Sequence, residues 1–242
     1  MVHECLYSNE KALVKDIARS LQATGEYRGV YSSINLANYK PDKHWSQWYG
    51  EHSPTLQPEI DLLLVSFGYR TLLIRGVEVK YIAIKTRKKK DKKETKISES
   101  YYAGIEQALS ILRLGVDEAW LWHFFDRNVP SELIGKYVGA CHGIIQSLKL
   151  PIGYSAYLVE EEEEVHIYGE GYKLISNEPF ITPLYVPYYS TELTKKKNCR
   201  SNWWKSYLKL APKNPLFDHP IAKEVVMKTR EFLKLMLNIP SE

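Results

Sequence analysis

Residues 60–84 read "IDLLLVSFGYRTLLIRGVEVKYIAI". Two strand-like apolar runs, rich in Leu, Ile and Val, flank a short polar stretch around Gly68 and Arg70, which is the pattern of a β-hairpin. Neither run alternates cleanly between apolar and polar residues, so the spacing predicts a sheet covered on both faces. Charges nonetheless sit inside it, among them Asp61 at the start of the first arm, and Glu78 and Lys80 in the second. A buried charge without a partner is costly, so these groups must pair, take up protons or hold a cation.

With the turn centred between Gly68 and Arg70, Asp61 falls opposite residues 76–78, which makes it a cross-strand neighbour of Glu78. Side chains alternate along a strand, so Glu78 and Lys80 share a face. Two carboxylates at that separation suit a hard divalent ion such as Mg2+, with Mn2+ as a substitute. Such an ion activates water and offsets charge on a phosphorane-like transition state. The competing account is a buried Glu78/Lys80 or Asp61/Lys80 ion pair with no chemistry.

Upstream, "NEKALVKDIARSL" (residues 9–21) carries Leu13, Val14, Ile17, Ala18 and Leu21 at helical spacing, with Ser8 or Asn9 available as N-cap. Glu10 lies on the same face as Leu13, Val14 and Ile17, so its carboxylate points towards the protein, within reach of the hairpin site. Residues 28–36 read as a strand, and 41–58, "PDKHWSQWYGEHSPTLQP", as a long loop. His44 and His52 are too loosely spaced to argue for zinc.

Downstream, residues 98–115 predict a helix with Tyr101, Ile105, Ala108, Leu109 and Leu112 buried and Gly115 ending it. "DEAWLWHFF" (117–125) predicts a buried strand, and 131–150 a helix begun by Ser131. Residues 153–160 and 164–170 suggest a hairpin around the solvated glutamates Glu160 to Glu164, and 171–217 look irregular. A last helix is expected from Asp218 as N-cap and Pro220 in its first turn, with Ala222, Val225, Val226, Phe232, Leu233 and Met236 as its apolar stripe.

The residues that carry a family resemblance are "PEID" ending in Asp61, "EVK" with Glu78 and Lys80, Glu10, and "GIEQAL" with Gln107. Together they resemble the PD-(D/E)XK, or restriction-endonuclease-like, nuclease superfamily. Here the proline stands three residues before Asp61, and Glu59 intervenes. The resemblance implies an α/β fold, a mixed central sheet flanked by helices, with a core of helix, three strands, helix and strand over about residues 8–125. It implies metal-dependent cleavage of phosphodiesters, with Asp61 and Glu78 as metal ligands, Glu10 as an auxiliary acid, Lys80 near the attacking water and Gln107 as support. We therefore expect residues 1–170 to form a nuclease-like core and 171–242 a basic and aromatic segment with a helix packed on it. The alternative is a non-cleaving nucleic-acid-binding or assembly module on the same fold.

Charge distribution fits a nucleic-acid partner, DNA before RNA. Residues 85–96, "KTRKKKDKKETK", hold eight basic residues, among them Lys85, Arg87, Lys88, Lys89 and Lys90, against Asp91 and Glu94, and read as a basic loop. A second run mixes Lys195, Lys196, Lys197 and Arg200 with Trp203 and Trp204, a combination suited to phosphates and base faces. The overall charge of +4 says little by comparison. Three dispersed cysteines argue against a disulfide framework or a cysteine-built zinc site, and the chain has neither a membrane-length apolar run nor a secretory leader pattern at its start. The expectation is a cytoplasmic protein, monomer or homodimer.

Overall fold

The computed structural model describes residues 5–38, 43–52, 59–67, 72–89, 92–160, 180–183 and 208–239; for 86–89, 92–96, 160 and 180–183 only the backbone path is described. The fold is α/β, an open mixed sheet flanked by helices. Its elements are α1 (Glu10–Ala23), β1 (Gly29–Asn35), α2 (Lys43–His52), β2 (Glu59–Phe67), β3 (Leu72–Ile82), β4 (Ile84–Lys89), β5 (Lys92–Ile97), α3 (Ile105–Ile111), β6 (Glu118–Asp126), α4 (Ser131–Ser147), β7 (Gly153–Glu160), β8 (Phe180–Pro183) and α5 (Lys223–Met236). The sheet order is β1-β2-β3-β6-β7-β8. β1, β2 and β3 form an antiparallel meander, β3, β6 and β7 run parallel, and β8 returns antiparallel to β7. Two successive crossovers in one direction, through α3 and α4, place both helices on one face, as right-handed βαβ units require.

Alternation sorts the strand residues onto two cores. Leu62, Leu64, Val77, Val79, Trp122 and Phe124 lie beneath Leu13, Val14, Ile17 and Leu21 of α1. Leu63, Val65, Ile74, Leu121 and Phe125 face the other way, towards Ile111 of α3, Ile134 and Val138 of α4, Phe232 and Leu233 of α5, and Trp45 of α2. Each large apolar side chain so buried contributes about 1.5–3 kcal/mol. Asn9 caps α1, its Oδ1 accepting from Ala12 N at 3.0 Å.

Three local readings need correction. Residues 43–52 are a helix, not loop: Trp45, Trp48 and Tyr49 follow one another at helical spacing, and the Trp45 ring lies 4.0 Å from that of Phe232. The helix of the 98–115 segment begins only at Ile105, because Gly104 takes φ +84°, which leaves Tyr101 exposed rather than buried. Residues 84–89 and 92–97 pair as a two-stranded antiparallel ribbon, β4–β5, rather than belonging to a loop.

Smaller corrections concern the C-terminal part. β8 lies inside the segment expected to be irregular, and Leu208 and Lys209 bridge to Tyr154. α5 starts at Lys223, and His219 Nδ1, rather than Asp218, takes the amides of Ile221 and Ala222, each at 3.2 Å. Arg230 fastens α5 by donating to Gly115 O at 2.8 Å and Asp117 Oδ2 at 3.0 Å. The expected strand at 164–170, the glutamates 161–164 and the hairpin turn at 68–71 lie outside the described residues. Among the described residues no helix is long and apolar enough to cross a membrane.

Candidate functional site

The β2–β3 ladder ends at Leu62 opposite Val77, so Asp61 comes level with Glu78 where the strands part. Beyond that point β3 still presents backbone amides on its β2 side, and carboxylates answer them. Asp61 Oδ2 accepts from Val79 N at 2.9 Å, and Glu10 Oε2 from Tyr81 N at 3.3 Å. An unpaired buried amide is costly, so each acid has a structural reason for its position.

Lys80 lies between two of these acids, its Nζ 2.7 Å from Glu78 Oε1 and 3.4 Å from Glu10 Oε1. The Lys80 and Glu78 side chains are only 11% and 4% exposed, against 33% for Glu10. The structure thus brings together Glu10, Asp61, Glu78 and Lys80. Gln107 is half-buried on α3, one turn beyond Gly104, and makes no side-chain hydrogen bond to these four residues.

Burial is the main force on the protonation of these acids. It pushes Asp61 up to about 6, opposed by the Val79 amide and helped by the Glu10 charge. Glu78 rises to about 8 through burial and the Asp61 charge, with Lys80 working against both. Burial alone would lower Lys80, but Glu78, Glu10 and Asp61 outweigh it and hold the ammonium more firmly protonated than usual. Both the buried Glu78 and the half-buried Asp61 thus hold a proton more tightly than a free carboxylate does, and a metal ion could compete for that place.

The donor set suits magnesium. Mg2+ takes one or two carboxylates and fills its shell with water and phosphate oxygens, which Asp61 and Glu78 permit. Among the described residues no group of three or more His, Cys, Asp or Glu stands ready as a metal nest. An ion here would therefore rely on two carboxylates completed by water and substrate.

Several positioning residues escaped the sequence. Gly104 lies over the lysine: an added Cβ would meet Leu121 Cδ1 at 2.7 Å and Lys80 Cγ at 3.0 Å. The preceding carbonyl, Ala103 O, accepts from His123 Nε2 at 3.0 Å. That leaves His123 Nδ1 to accept the Tyr154 hydroxyl at 3.1 Å, and Tyr154 also bonds Cys141. His123 is fully buried opposite Lys80 in the β3–β6 register, and burial, with the Lys80 charge, lowers its pKa to about 4. It stays neutral and puts no second cation beneath Lys80. Strand β6 is buried almost throughout, so nothing in its sequence pattern distinguished His123.

A second cluster sets Glu10. The Tyr81 hydroxyl donates to the fully buried Asp126 and accepts from Tyr7 N at 3.2 Å, while Asp126 Oδ2 takes Leu6 N at 2.8 Å. Residues 5–7 are thereby tied to β3 and β6 just before α1 begins. Burial and the Asp126 hydrogen bond raise the Tyr81 pKa, keeping it a donor. Along the exposed side of α1, Lys11, Lys15 and Arg19 recur at four-residue intervals and line a depression of about 490 Å³. Lys85 is exposed at the base of the ribbon; the side chains of Arg87, Lys88 and Lys89, and all of Lys90, Lys195, Lys196, Lys197, Arg200, Trp203 and Trp204, lie outside the described residues.

Neither a family model nor a curated protein matches this sequence. What can be said of the site rests on its geometry.

Proposed function

We propose that the protein is a metal-dependent nuclease of the restriction-endonuclease-like type that hydrolyses phosphodiester bonds in DNA. The observation that carries this reading is the convergence of Asp61, Glu78 and Lys80 on one buried patch where β2 leaves β3, with Lys80 Nζ 2.7 Å from Glu78. Asp61 and Glu78 would hold Mg2+, and Glu10 would stand beside them as an auxiliary acid. Bound there, the ion would supply Lewis-acid neutralisation of phosphate charge and a more acidic water.

The chain's own residues do the rest. The Val79 amide fixes one oxygen of Asp61, and the other accepts no hydrogen bond from the described residues. The raised proton affinity of Lys80 makes it a poor base, so it acts as an ammonium, orienting the attacking water and stabilising charge that develops on the phosphoryl oxygens. Glu10 and Glu78 hold that ammonium in place from two sides. Lys11 and Lys15, exposed on the same helix as Glu10, offer positive charge to phosphates, while Arg19 beside them is paired with Asp16.

One observation favours a second reading, a non-cleaving nucleic-acid-binding or assembly module: Lys80 already pairs with Glu78 and Glu10 without an ion. Incubating labelled duplex, single-stranded and branched DNA, and RNA, with Mg2+ or Mn2+ separates the two. The nuclease reading expects cleavage that falls at least about a hundredfold in Asp61→Ala and Lys80→Ala, the scale on which loss of one transition-state contact acts. Binding without metal-dependent cutting of any substrate would refute it.

A further inference from the structure

We propose that the β4–β5 ribbon enters the major groove of B-form DNA, so that the substrate is duplex DNA rather than RNA or a single strand; this rests on the nucleic-acid reading above. The ribbon continues the catalytic strand. β3 ends at Ile82 and β4 begins at Ile84. Its base is fixed: Ser98 Oγ accepts from Ala83 N at 3.0 Å, Ser98 N donates to Ala83 O at 2.9 Å, and Asn128 Oδ1 accepts from Ile84 N at 3.0 Å. Ile84 and Ile97, paired across the base, lie against the core. Beyond that base neither strand joins the central sheet, and among the described residues the ribbon pairs only with itself.

Its register is what points to an anion. Lys85 pairs with Lys96, Lys88 with Lys93 and Lys89 with Lys92, while Arg87 opposite Glu94 is the one pair of opposite charge. Like charges directly opposite destabilise a ladder, and a polyanion would relieve that repulsion. Two strands of six residues give a ribbon about 20 Å long. The major groove of B-DNA, about 12 Å wide, admits a two-stranded ribbon. The deep, narrow major groove of A-form RNA does not, and a single strand has no groove. Lys80 precedes the ribbon base by four residues, about 13 Å of strand, which keeps the acid cluster within about one groove width of the duplex backbone.

Binding measured by fluorescence anisotropy in EDTA, where nothing is cut, tests this apart from catalysis. The wild-type chain should bind a DNA duplex at least about tenfold more tightly than the RNA duplex of the same sequence or either single strand. Glucosylated hydroxymethylcytosine, which fills the major groove, should abolish that binding, and netropsin in the minor groove should leave it unchanged. In a Lys88→Gln, Lys89→Gln, Lys92→Gln, Lys93→Gln variant, loss of three phosphate contacts among the four lysines, the fourth facing bases or solvent, would weaken duplex binding about a hundredfold at about 0.15 M salt and flatten the salt slope by about 3. Unchanged binding by that variant would overturn the proposal and leave the lysines as guards against edge-to-edge pairing. So would equal binding to RNA duplex, or indifference to glucosylation, an arm that uses the unmodified protein and does not depend on the variant folding. Groove-dependent binding without Mg2+- or Mn2+-dependent cutting would sink the nuclease reading and leave this one standing; cutting with ribbon-independent binding would do the reverse.

Discussion

Replacing the half-buried Asp61 with Asn should stabilise the metal-free protein at alkaline pH. Asn keeps an oxygen to accept the Val79 amide, so the backbone contact survives. What changes is the charge. Asp61 binds its proton more tightly folded, with a pKa of about 6, than unfolded, with the ordinary 3.8. The sign follows from linkage: below about pH 4 both states are protonated and nothing is lost. Between about pH 4 and 6 the folded protein must release a proton it holds more tightly, so stability falls, and the loss persists above. About two pKa units correspond to roughly 3 kcal/mol at most, and allowing for residual solvent contact about 2 kcal/mol is a working figure.

For a chain of 242 residues each kcal/mol moves Tm by about 2–4 °C, so Asp61→Asn should melt about 4–8 °C above wild type at pH 8 in EDTA and level with it at pH 4. Removing the Asp61 charge also eases ionisation of Glu78, which adds in the same direction. Added Mg2+ should raise Tm of the wild type by mass action and do little for the variant. Scanning calorimetry across pH, with and without Mg2+, reads both effects. An Asp61→Asn protein that melts at or below the wild-type temperature at pH 8 in EDTA would refute the view that these acids are crowded and short of a cation.

Two further outcomes follow from the supports of the site. Gly104→Ala forces a side chain into left-handed backbone against Leu121 and Lys80; the conformation alone costs about 1–2 kcal/mol, Tm should fall by several degrees, and cleavage should fall further than stability as Lys80 shifts. Tyr81→Phe removes the donor to buried Asp126 and the acceptor for Tyr7 N, a loss of about 1–3 kcal/mol, and hydrogen exchange at the Leu6 and Tyr7 amides should quicken while β6 stays protected.

The hairpin was legible because apolar runs around a polar turn leave few alternatives, and strand parity then put Glu78 and Lys80 on one face. Helical spacing did the same for Glu10. The α2 helix was hidden by Pro41, Pro54, Pro58 and Gly50, loop signals in and around a stretch held by Phe232 from the far end of the chain. The β4–β5 ribbon defied propensity, since lysine disfavours strands and only the register shows the pairing. His123 and Gly104 owe their importance to contacts with Ala103 and Lys80 that no local pattern encodes.

The charges in "GVEVKY" therefore have a cause that precedes any chemistry. Where β2 leaves β3, the amides of Val79 and Tyr81 lose their ladder partners and need other acceptors. Carboxylates from Asp61 and Glu10 supply them, and their accumulated negative charge demands a cation, which Lys80 provides in part. Glu78 overshoots that balance: its proton affinity rises although it lies against the ammonium, because burial and Asp61 outweigh one lysine. Glu78 is nonetheless the closest ion-pair partner of Lys80, at 2.7 Å, so its carboxylate has a structural role as well. Under the proposed reading a divalent ion would take up the negative charge that one lysine does not balance.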